Sequence, residues 1–191
     1  MDKNHHNFSP IRQMLACLLV LFFCGVSQAQ TLSLMAPDIA NDNGALKARF
    51  GVTVAEKPIL KGELEDGHEL VLKCKVDLLE VQDFWLDDSL SSTVFISSIR
   101  FDRLEREFVM TLPGNTSPLR HKNLGTLLKM GWGSIEISLG PWNMLKPGER
   151  YSLRLITTMN EKDAPEGVYR LLYFWSWDSG TDNTIHLNFT F

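Results

Sequence analysis

Apolar and polar residues alternate along most of this chain, which is the period of a half-buried β-strand. Leu46, Ala48, Phe50, Val52 and Val54 share one side of such a run, with Lys47, Arg49 and Thr53 on the other. Leu70, Leu72, Cys74, Val76 and Leu78 form a second apolar face. Residues 92–102 and 104–112 read as further strands, the latter with Leu104, Phe108, Met110 and Leu112 on one face. Ile135, Ile137 and Leu139 alternate, as do Tyr151, Leu153, Leu155, Thr157 and Met159. Tyr169, Leu171, Tyr173, Trp175 and Trp177 follow, and Ile185, Leu187, Phe189 and Phe191 close the series. Pro58, Glu65-Asp66-Gly67 and Pro113-Gly114-Asn115 punctuate it as turns, and residues 80–91 read as a short strand and a turn.

One stretch departs from period two. Leu124, Leu127 and Leu128 recur at helical spacing and predict a short helix over about 119–130. About seven or eight short strands with regular turns predict an all-β fold, an immunoglobulin/fibronectin-like antiparallel β-sandwich with one short helix. Leu145-Lys146-Pro147-Gly148-Glu149-Arg150-Tyr151 sharpens that expectation. The spacing resembles the tyrosine corner of such sandwiches, in which a Tyr hydroxyl bonds upstream backbone across a Pro-Gly turn. Tyr151, Pro147 and Gly148 are therefore read as structural residues.

The first 29 residues read as a secretory leader. Lys3 and Arg12 give a positive start, Met14 to Val26 is apolar, and Ser27-Gln28-Ala29 supplies small residues for cleavage after Ala29. The apolar run of 13 residues falls short of the ~20 that a membrane-spanning helix needs. Residues 30–44 are small, polar and turn-rich, and read as a linker, leaving 45–191 as the sandwich domain. Removing 29 residues from 191 leaves 162, and with Asp2, Lys3 and Arg12 gone the net charge moves from −4 to −5. No later stretch reaches transmembrane length. A mildly acidic domain carries no electrostatic footprint for nucleic acid.

Cys74 is the one cysteine after the leader, so it has no internal disulfide partner. Its place between Leu72 and Val76 makes it a buried, inert thiol rather than a reactive one. His68, His121 and His186 are not spaced as metal ligands, and no nucleophile elbow or phosphate-binding loop occurs. No cofactor or metal is expected. The run Asp178-Ser-Gly-Thr-Asp182-Asn183 lacks the full calcium loop and reads as a hairpin turn.

The aromatic content is what stands out. Five Trp occur, and Phe174-Trp175-Ser176-Trp177 puts large rings on both faces of one strand. Either other elements cover the outer rings, or that face binds something.

Taken together, the leader, Leu64-Glu65-Asp66-Gly67, Asp83-Phe84-Trp85-Leu86-Asp87, Arg103-Leu-Glu-Arg-Glu-Phe108, the Leu124–Trp132 stretch and Phe174-Trp175-Ser176-Trp177 carry a resemblance. They resemble an exported proteobacterial family defined as a domain of unknown function. Some members of that family are encoded near nitrogen-regulation-type sensor kinases. The resemblance implies a Gram-negative envelope setting and assigns no catalytic residue.

The expectation is a periplasmic, non-enzymatic interaction domain with an envelope protein as partner. Trp142, Trp175 and Trp177 are the candidate binding rings, with Asp178 and Asp182 as a polar rim. Burial of every Trp would move the site to the 113–123 loop or to the 83–88 segment. One alternative is a carbohydrate or envelope-polymer binder using surface Trp. The other is a hydrolase using Asp87, Asp88 or Glu105, which needs two carboxyl groups about 5–9.5 Å apart. The pattern sets no oligomeric state.

Overall fold

The computed structural model describes residues 32–84, 86–162 and 184–191. In chain order these form β1 (Leu32–Asp42), β2 (Ala45–Val54), α1 (Lys57–Asp66), β3 (Leu70–Glu80), β4 (Asp88–Asp102), β5 (Glu107–Thr111), β6 (Leu119–His121), α2 (Leu124–Trp132), β7 (Ile135–Pro141), a 3₁₀ turn (Trp142–Met144), β8 (Arg150–Glu161) and β9 (Thr184–Thr190). A three-stranded sheet, β1-β2-β7, faces a six-stranded sheet ordered β6-β5-β4-β3-β8-β9, and the described pairings are antiparallel. This is an all-β sandwich. The inward residues are those the alternation marks: Leu46 to Val54 on β2, Leu70 to Leu78 on β3, Ile135 to Leu139 on β7 and Tyr151 to Met159 on β8 share one apolar cluster.

The tyrosine corner is present. The Lys146 backbone N–H donates to the Tyr151 hydroxyl at 2.8 Å, and Tyr151 is fully buried. Gly148, at φ +84°, turns the chain, and its N–H bonds the Phe191 carbonyl at 2.7 Å. Phe189 stacks on Tyr151 with ring centroids 5.5 Å apart.

Four expectations are corrected. Residues 30–44 do not act as a linker, because Leu32–Asp42 is a strand paired along β2. Asn43 and Gly44 both have positive φ, the backbone of a tight two-residue hairpin turn. A register shift between Met35 and Asp38, around Pro37, breaks the alternation that would have marked the strand.

Secondly, the described residues hold two short α-helices rather than one. Pro58 sits in the first turn of α1, where its missing N–H costs nothing. Glu65-Asp66-Gly67 is that helix's end rather than a free turn. Gly67, at φ +108°, and His68 send their N–H groups to Leu64 and Glu63 carbonyls, and the Arg103 guanidinium donates to the Glu65 and Asp66 carbonyls.

Thirdly, the predicted helix over 119–130 splits. Residues 119–121 pair with β5 as β6, and α2 begins at Leu124 after Asn123, whose side chain caps the Thr126 N–H at 2.9 Å. Fourthly, Leu104 lies in an exposed turn, away from the face it shares in the sequence pattern, while Phe108 and Met110 are buried. The β9 apolar residues are likewise only half-buried, and Phe191 is 36% exposed.

Candidate functional site

The connection between β3 and β4, residues 81–87, presents two of the three most exposed large apolar groups among the described residues, the third being Leu104 in the β4–β5 turn. Phe84 is 92% exposed and Leu86 90%. Trp85, between them in sequence, lies outside the described residues. The base of this loop is held on three sides. The Val81 N–H donates to the Arg150 carbonyl at 2.8 Å, the Gln82 N–H to an Asp87 carboxylate oxygen at 3.3 Å, and Arg150 pairs with Asp83. The tip therefore projects from an anchored stem. In sequence Asp83 precedes its apolar residues and Asp87 and Asp88 follow them.

Beside the stem lies an open groove of about 590 Å³, lined by Val81, Asp87, Arg150, Ser152, His186 and Asn188 among others. It exists because Ser152 and Asn188, directly opposite each other on β8 and β9, are short. Their flanking pairs, Arg150 with Thr190 and Arg154 with His186, include the longer side chains. The lining offers hydrogen-bond donors and one carboxylate, and no nucleophile bonded to a base.

Further along the same outer face, Asp77 is 2% exposed although it points away from the core. It accepts from Ser92 Oγ at 2.7 Å and from Arg154 at 2.9 and 3.2 Å, and Lys75 Nζ lies at 3.2 Å. Burial pushes its carboxyl upward, but these bonds outweigh it and hold the group below the usual carboxylate range. Beyond it, Lys75 stands opposite Val94 and Lys73 opposite Ile96. Val94 is 43% exposed and Ile96 53%.

A second polar cluster sits at the far end of the sheet. His68 Nδ1 bonds Glu161 at 2.7 Å, and its Nε2 lies 3.8 Å from Glu63. The Glu161 bond raises the imidazole pKa above its ordinary value, against a smaller effect of burial. Among the described residues, no group of three or more His, Cys, Asp and Glu is placed to hold a metal ion.

Of the sequence candidates, Trp142 is half-buried in the 3₁₀ turn, its ring edge-on to Phe191 at 5.3 Å. Trp132 is fully buried. Trp175, Trp177, Asp178 and Asp182 lie outside the described residues, as does the bond after Ala29. Pro147, Gly148 and Tyr151 form the corner already described. Asp87 and Asp88 stand at the start of β4 and Glu105 beyond its end. A strand of that length separates them by roughly 45 Å, so Glu105 cannot serve either Asp as the second carboxylate of a hydrolase. His121, expected at the start of the helix, is in β6, and its ring accepts the Asn123 N–H at 2.8 Å.

The pattern of the sequence singles out Asp83-Phe84-Trp85-Leu86-Asp87 as a motif without showing that its apolar residues face solvent. Nothing in it brings His186, Asn188 and Ser152 beside that loop. Only the pairing of β8 with β9 does so.

Among the described residues no helix is long and apolar enough to cross a membrane. Residues 29–188 match the family described as Domain of unknown function (DUF4390). No curated protein and no solved structure matches the chain.

Proposed function

The chain belongs to the DUF4390 family, and we propose that it is an exported, non-enzymatic interaction domain of the cell envelope that docks a partner protein through the β3–β4 loop. The observation that carries this reading is the near-complete exposure of Phe84 and Leu86 on an anchored stem. Single exposed apolar residues are ordinary on protein surfaces. Two large ones at one loop tip, whose stem already costs side-chain entropy to hold, are what an interface hot spot presents. Burying each against a partner would contribute about 1.5–3 kcal/mol. Asp83 is already matched by Arg150, but the carboxylates of Asp87 and Asp88 favour a partner surface that pairs an apolar recess with a cationic rim. The leader supports export. The groove beside the stem, with its donors and the Asp87 carboxylate, supports the second reading, a small polar ligand such as a sugar.

The test is capture from an envelope extract by the full-length chain, expressed with its own leader, against Phe84→Ser and Leu86→Ser. Both residues are exposed, so the variants should melt with the wild type. The expected result is a partner captured by the wild type and lost by both. A captured partner that neither variant loses would reject the loop. Binding of a sugar, abolished by Asn188→Ala with the Phe84→Ser variant unaffected, would promote the groove reading instead.

A further inference from the structure

We infer that the surface which receives the β3–β4 loop is the outer face of the six-stranded sheet of a second copy of this chain, in a two-fold symmetric dimer. This rests on the reading of the loop as a docking element and names its partner. The two surfaces are complementary in charge and alike in apolar character. The loop offers Phe84 and Leu86, almost fully exposed, followed by the carboxylates of Asp87 and Asp88. The sheet face offers Val94 and Ile96, exposed where a solvated sheet face should be polar, each directly opposite a lysine, Lys75 and Lys73. Lys73 has no ion pair among the described residues, and neither does Asp88. An unpaired cation beside an exposed Ile, and an unpaired carboxylate beside an exposed apolar loop, leave each surface lacking what the other has.

The spacing suits reciprocal docking. The loop leaves the sheet after the Glu80–Asp88 pair, and the Lys75–Val94 and Lys73–Ile96 pairs lie five to seven residues further along β3. That is roughly 17–23 Å along the strands. Two copies placed face to face with β3 running in opposite directions bring each loop over the other's lysine row. The two-fold axis then passes near Asp77 and Ser92. A like-charge clash at that axis is avoided, because Asp77 is already paired with Arg154 and Lys75. In such an isologous contact each copy gives one loop and receives one, so the assembly closes at two.

The test uses Lys73→Glu and Asp88→Lys, two exposed single charge reversals, in the full-length chain expressed with its own leader. Sedimentation equilibrium should give a mass that rises to that of a dimer with concentration, and less readily at high salt. Each variant, with an unchanged melting temperature, should weaken self-association at least about tenfold. Mixed in equal amounts they should recover the wild-type constant, because the native acidic loop of Lys73→Glu meets the native basic face of Asp88→Lys, and the reversed loop meets the reversed face. A wild type that stays monomeric throughout, a dimer indifferent to both reversals, or a mixture no tighter than its components would each overturn the inference. Lys73→Glu keeps Phe84 and Leu86 intact. An envelope partner held by Lys73→Glu and lost by Phe84→Ser would therefore sustain the docking role of the loop while the dimer falls.

Discussion

The indole N–H of Trp132 donates to Ser97 Oγ at 2.9 Å, and both residues are buried. Ser97 Oγ in turn donates to the Thr111 carbonyl at 2.8 Å. The relay ties the end of α2 to the β4–β5 ladder, so a helix with a mainly apolar buried face is positioned by a polar contact. Gly51 records how closely the helix sits: a Cβ there would lie 2.7 Å from the Gly133 carbonyl oxygen.

Ser97→Ala should therefore cost about 1–3 kcal/mol, since it leaves a buried indole donor without its acceptor. Trp132→Phe should cost more, through the cavity it opens. The double variant should fall short of the sum, because once Trp132 is replaced Ser97→Ala no longer strands an indole donor. Urea unfolding of the three variants checks this, and strict additivity would dissolve the relay.

Tyr151→Phe removes the acceptor of the Lys146 N–H while keeping the ring against Phe189. A loss of about 1–3 kcal/mol is expected. A melting temperature equal to that of the wild type would mean that the corner turn is held by Pro147 and Gly148 alone.

Cys74 is buried, and burial pushes its thiol up to about 11, with the Thr157 hydroxyl, 3.6 Å away, acting weakly in the opposite direction. The native protein should resist a thiol reagent at neutral pH and react fully once denatured. Labelling of the folded protein at the rate of a free thiol would overturn the placement of β3.

Asp77 links stability to acid. Its folded pKa lies below the ordinary value, so its contribution is fully present above the unfolded value of about 3.9 and is lost as pH falls through the folded one. Asp77→Asn should destabilise the protein by about 1–3 kcal/mol at pH 7, chiefly through weakened bonds from Ser92 and Arg154. The gap between variant and wild type should narrow below about pH 4. A gap that stays constant down to pH 2 would show that the charge at Asp77 does not contribute.

The strands whose faces alternate cleanly were legible in the residues: β2, β3, β7 and β8 carry their buried side chains where period two puts them. β1 was not, although Asn43-Gly44 is a strong hairpin signal, because the shift around Pro37 interrupts its alternation. The first helix was hidden for a related reason. Its two buried residues, Leu60 and Leu64, are one pair at i and i+4, too few to compete with the turn signals of Pro58 and Gly67.

The candidate site divides along the same line. Alternation is a property of one strand, and it determined that Cys74 faces the core and that Lys73 and Lys75 face away from it, whereas the unbroken apolar run Val94-Phe95-Ile96 left the faces of β4 to the structure. The local spacing of Leu145 to Tyr151 likewise marked the Pro147-Gly148 corner, since that motif closes over a few residues. Whether an outward residue meets solvent, a neighbouring strand or another element depends on contacts between residues far apart in the chain. Only the tertiary structure placed Asp77 under Arg154, 77 residues away. Only it set the groove between β8 and β9, and anchored the Asp83–Asp87 loop on Arg150 so that Phe84 and Leu86 stand clear. Such contacts are fixed by strand order and register, which the burial of the described strands decides together and no single stretch of sequence encodes.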